Sequence, residues 1–194
     1  DLDYRAHDAI EMLLSYAAKV RPEQIGENDT TDTLTNGVSS RRNQLLMDIS
    51  SELGVASVDG AAEASIRDLN ALVDKVAPNY KAFGPVLSDI VRDRVRSLFG
   101  AAGVKLPQIT KRVTETWQLG EGWANHVVGQ LVLATREGTS SRGGDLATLG
   151  TDAASNAAAA NALIDAAVQA VAAAHSVQVA MPSAGGASGG VVDS

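Results

Sequence analysis

The chain has no cysteine, which excludes disulfides, thiolate metal sites and cysteine nucleophiles, and fits a cytoplasmic location. Aromatic residues make up only 4% of it, against 45% hydrophobic residues in all. Alanine and leucine must therefore do most of the packing, which favours closely packed helices over a β-sandwich. The three histidines, His7, His126 and His175, show no His-x-x-x-His spacing and read as surface or helix-flank residues. There is no Gly-x-x-x-x-Gly-Lys-Ser/Thr loop, no Gly-x-Gly-x-x-Gly loop and no Gly-x-Ser-x-Gly elbow. No catalytic residue and no metal ligand is expected. No apolar run is expected to approach the roughly 18 residues that span a bilayer, so no membrane partner is read. The opening Asp1-Leu2-Asp3-Tyr4-Arg5 does not resemble a signal peptide.

What the chain does have is helical periodicity and a lopsided charge. Residues 1–77 carry seven Lys/Arg against fourteen Asp/Glu, while residues 78–194 carry nine of each. The excess acid argues against a nucleic-acid role and suits basic partner surfaces. Ala6, Ile10, Leu13, Leu14 and Ala17 predict a helix over 5–19, with Pro22 just beyond its end. A polar loop is expected from Glu23 to Asn36, a helix from Ser39 to Leu53 that stops at Gly54, and one short turn at Ala61 to Ala64. Ile66, Leu69, Leu72, Val73 and Val76 form a further stripe that Pro78 closes.

Beyond it, Leu87, Ile90, Val91, Val95 and Leu98 predict a helix from Pro85 to Gly100. Another starts near Pro107 and reaches Trp117. Trp123 to Ala134 reads as helix, although Val127-Val128 and Leu131-Val132-Leu133 also tolerate a strand. Residues 135–154 read as a long surface loop, and an alanine-rich helix runs from Ser155 to about His175. Residues 181–194, rich in Gly, Ala and Ser, have the composition of a linker to a following domain. The expected organisation is all-α: a lobe over 1–77, a second helical lobe over 78–180, and this linker.

One stretch concentrates the functional interest: Asn36-Gly37-Val38-Ser39-Ser40-Arg41-Arg42-Asn43-Gln44. Its serine stands where a helix begins, a position suited to an N-cap. The same place favours a phosphate-linked group, because free N–H donors and the helix dipole welcome an anion. A serine without a base cannot activate itself, so a partner would have to do so.

These residues, the following apolar helix and the Glu52-Leu53-Gly54 stop resemble the acyl carrier domain of barrel-type type I fatty acid synthases of fungi and actinobacteria. The closest likeness is to the bacterial type I enzyme. The resemblance extends through Phe83-Gly84-Pro85-Val86-Leu87, Ile109 to Leu119 and the last alanine-rich helix. It implies a four-helix acyl-carrier bundle plus a second helical support lobe. It also implies a 4′-phosphopantetheine arm, taken from coenzyme A by a phosphopantetheinyl transferase and attached covalently to Ser39, with Ser40 as the rival.

By the same resemblance the arm would carry acyl thioesters between the ketosynthase, reductase, dehydratase and acyltransferase domains of one synthase. Stand-alone carriers usually show Asp-Ser-Leu, where this chain has Val38-Ser39-Ser40; the fungal-type synthases lack the acid as well. Arg41 and Arg42 are candidates for contact with the arm's phosphate or an acidic partner patch, or are ordinary solvated helix residues. The alternative function is a non-catalytic structural or docking helical module of a multidomain protein.

Overall fold

The computed structural model describes residues 2–182. The linker expected over 181–194 lies almost wholly outside the described residues. Among those residues the fold is all-helical, with no β-strand. The helices are α1 (Ala6–Ala18), α2 (Thr31–Leu34), α3 (Ser39–Leu53), α4 (Ile66–Val76), α5 (Pro85–Phe99), α6 (Leu106–Lys111), α7 (Glu121–Leu133) and α8 (Ala157–Ala174).

Two compact units divide the chain. The first comprises Tyr4–Asp93 and Val132–Thr151; the second holds Arg94–Leu131 with the described residues before Tyr4 and after Thr151. This division does not coincide with a boundary at residue 77, because chain from both 78–93 and 132–151 belongs to the unit that carries Ser39.

In the first unit α1 packs on α3 and α4, and α2 packs on α3. The apolar stripe of α1 is buried at Ala6, Ala9, Ile10, Leu13 and Leu14, as are Leu45 and Ile49 of α3 and Ile66, Leu69 and Val73 of α4. Local chemistry sets the helix ends. The Asp8 carboxylate accepts from the Arg5 backbone N–H at 2.8 Å, and the Ser65 hydroxyl accepts from Asp68 N–H at 3.2 Å. Thr30 and Thr33 bond each other's backbone N–H reciprocally, a capping box that lets four residues hold a turn of helix. Gly54 ends α3 at φ +70°.

The second unit packs small residues. Ala160, Ile164, Ala167, Val168 and Val171 of α8 are buried, as are Ile109, Val113, Trp117 and Trp123. After α6 the chain widens into a π-helical turn, Arg112–Thr116. There Arg112 forks onto Asp165 at 2.7 and 2.8 Å, and Trp117 Nε1 donates to Asp165 at 2.8 Å.

Two expectations change. The loop expected over 23–36 contains a 3₁₀ turn (Pro22–Gln24) and α2, both too short to show a period. Finally, α8 is long and apolar enough to cross a membrane by length and composition, contrary to the expectation of no such run. The reason is alanine: it fills eleven of the eighteen positions and outweighs Asn161, Asp165 and Gln169 in the mean. The single charge in α8, Asp165, is the one bound to Arg112 and Trp117.

Candidate functional site

Ser39 is the first residue of α3, and the turn before it explains its placement. Asn36 and Gly37 both take positive φ, +55° and +71°. Gly37 N–H donates to Asp32 O at 2.9 Å and Val38 N–H to Thr35 O at 3.0 Å, closing the turn against α2. Gly37 has open space around it, so the backbone angle rather than crowding favours glycine there. Val38 O accepts the first helical bond, from Arg42 N–H at 3.0 Å. That makes Val38 the N-cap, not Ser39, and no side chain caps the helix. The serine expected as a cap therefore stands one position further on, with its hydroxyl exposed.

The neighbours of Ser39 divide by function. Ser40 and Arg41 are exposed, while Arg42 is half-buried and pairs with Asp32 at 3.3 Å. Arg42 thus joins α3 to α2, and Arg41 is the arginine turned to solvent beside the serines. Val38, 41% exposed at the N-cap, and Met47, 62% exposed within α3, add apolar surface. Ser40, Asn43, Gln44, Met47 and Ser51 form an exposed face, bordered by Asp48, which accepts from Gln44 Nε2 at 2.9 Å. The first-turn N–H groups of an α-helix have no intrahelical acceptor, so this end offers donors to an anion.

Two carboxylates missed in the sequence hold this unit together. Glu52 is only 2% exposed. It accepts from Tyr80 Oη at 2.6 Å, Gly84 N–H at 2.6 Å and Leu87 N–H at 2.7 Å, so it caps α5 from the end of α3. Burial, then the bond to Glu52, holds the Tyr80 phenol protonated well above its ordinary range, so it remains a donor. Gly84 is required here, since a Cβ would collide with the Glu52 carbonyl.

The second carboxylate is Asp29. Arg142 donates to both of its oxygens, at 2.7 and 2.9 Å, and Gly26 N–H and the Thr33 hydroxyl donate as well, at 2.7 and 2.8 Å. Arg142 foremost, with these two donors, keeps the Asp29 carboxyl well below the usual carboxylate range despite an opposing push from burial.

The histidines separate into two environments. His7 Nδ1 lies 2.7 Å from Asp74 Oδ2, stapling α1 to α4. In the other unit His126 and His175 meet edge to face with ring centres 4.8 Å apart, a juxtaposition that their sequence spacing does not reveal. Among the described residues no group of three or more His, Cys, Asp or Glu is placed to hold a metal ion. No protein-family model matches the chain, and a search of curated proteins returns no match.

Proposed function

We propose that this chain is an acyl carrier domain of a multifunctional, barrel-type fatty acid synthase. In this reading Ser39 bears 4′-phosphopantetheine, and the arm's terminal thiol carries acyl groups as thioesters between the ketosynthase, reductase, dehydratase and acyltransferase domains. The carrying observation is the exposed Ser39 hydroxyl at the first position of α3, beyond a turn that presents it and beside donors suited to a phosphate.

A phosphopantetheinyl transferase supplies the base. The Ser39 oxygen attacks the phosphorus of coenzyme A that bears the pantetheine, the proton passes to that base, and adenosine 3′,5′-bisphosphate leaves. The domain then forms no bond by itself. Tethering raises the local concentration of substrate at each catalytic domain. Sixteen Asp/Glu against eleven Lys/Arg in the Ser39-bearing unit suit brief, charge-guided encounters with basic surfaces.

The second reading, a structural or docking helical module, draws on the exposed Val38, the N-cap of α3, and Met47 within it. Intact mass after incubation with coenzyme A and a transferase separates the two. The carrier gains one arm and its Ser39→Ala variant gains none, whereas a docking module stays at its starting mass.

A further inference from the structure

The strap over 135–151 belongs to the Ser39-bearing unit, although more than ninety residues of chain separate it from the serine. Many of its anchors lie on α1 and the segment after it. Arg136 is buried and donates to Ser15 O at 3.0 Å and Val20 O at 2.7 Å; the Ser141 hydroxyl donates to Ala18 O at 2.9 Å. These bonds occupy the carbonyl end of α1, where a cation is favoured by the helix dipole. Arg21 returns the tie by donating to Asp145 O at 2.6 Å.

The strap reaches toward the functional turn through Arg142. Arg142 forks onto Asp29 and also donates to Gln24 O at 2.9 Å. Asp29 then holds two further pieces. Its side chain accepts from Thr33 of α2, and its backbone carbonyl accepts from Ile66 N–H of α4 at 2.7 Å. A single turn of helix has almost no stability of its own. α2 is thus tied to this hub through Thr33 and to α3 through the Arg42–Asp32 pair, and the positive-φ turn that follows it leads into Ser39.

We infer that Arg142 is a positioning residue for modification of Ser39: by clasping Asp29 it holds α2 and the turn that presents the serine to the transferase. This rests on the carrier reading. Without the clasp, α2 frays and only a fraction of molecules shows the serine in the competent pose, so apparent affinity for the transferase falls by that fraction.

The test uses the full chain, its Arg142→Gln, Arg142→Lys and Asp29→Asn variants, coenzyme A and a phosphopantetheinyl transferase, with arm addition followed by intact mass. For Arg142→Gln the KM for the carrier rises about fivefold to tenfold with kcat retained, since the transferase captures the competent fraction. Arg142→Lys falls between, keeping the charge but not the fork. Amide exchange quickens over residues 31–42 while α1, in the same unit, keeps its protection, a pattern that general destabilisation of that unit does not give.

Parental KM and parental exchange in folded Arg142→Gln overturn the inference and leave the carrier reading standing. Should Arg142→Gln lose its helical circular dichroism, the near-isosteric Asp29→Asn carries the same expectations and the same refutation. A parent chain that takes up no arm overturns both, because nothing is then positioned.

Discussion

In the Ser39-bearing unit, charged side chains do structural work, Glu52 and Arg136 from inside and Arg142 with Asp29 nearer the surface. Glu52 caps α5, Arg136 closes the end of α1, and Arg142 with Asp29 ties a strap to the segment before α2. In the other unit, α8 is built on alanine, and its one charged residue, Asp165, sits at the margin of an apolar face, held by Arg112 and Trp117. The first arrangement fixes loops and short helices that packing alone leaves loose. The second needs little beyond close approach of small side chains. On the carrier reading, a serine shown to a succession of partners belongs to the first kind, since its turn is exposed and is not held by burial.

The contrast is broken most severely at Glu52. Glu52→Ala strands the Tyr80, Gly84 and Leu87 donors in a buried site and costs about 3 kcal/mol; urea unfolding followed by circular dichroism reads it. A loss as small as that of a surface substitution would show that charge is not what holds this unit. Asp165→Asn removes one partner of a half-exposed fork in the alanine-rich unit and costs only about 1 kcal/mol, by the same measurement.

Acid sharpens the comparison further. A carboxyl with a lower pKa folded than unfolded contributes stability that is complete above the unfolded value near about 4 and lost as pH falls toward the folded one. Asp29 is lowered further than Asp165, whose burial opposes the bonds from Arg112 and Trp117. Stability therefore falls as pH drops below about 4, and Asp29→Asn flattens that fall more than Asp165→Asn does. Equal flattening in a pH series of unfolding midpoints would contradict the ranking. The smallest effect belongs to Arg92→Gln, whose pairs with Asp89 and Asp93 are exposed; unfolding stays within about 0.5 kcal/mol of the parent.

Periodicity made the long helices legible. The stripes through Ile10, Leu45, Leu69, Val91 and Ile164 recur every three or four residues, and the helices run where those stripes do. The 121–133 segment, with apolar runs that also suit a strand, is helical. What escaped was whatever lacks a period. Thr31–Leu34 is a single turn made by two threonines capping each other, and Arg112–Thr116 is a π turn inside an apparently regular stripe. Pairings between distant charges escaped too. Nothing local to Glu52 marks it as buried, because its donors come from 28 to 35 residues later, and the partner of Asp29 lies 113 residues away. The candidate site was legible to within one residue: a glycine, then a serine, then a helix. The chain turns at Gly37 as read, but Val38 takes the cap and Ser39 begins the helix proper.

The central claim is that Ser39 itself is the attachment point. It is tested most directly by incubating the chain with coenzyme A and a phosphopantetheinyl transferase, then fragmenting the tryptic peptide that ends at Arg41 and contains both serines. The account predicts one phosphopantetheine on Ser39 and none on Ser40. An arm on Ser40, or an unmodified peptide under conditions that load a known carrier, would contradict it.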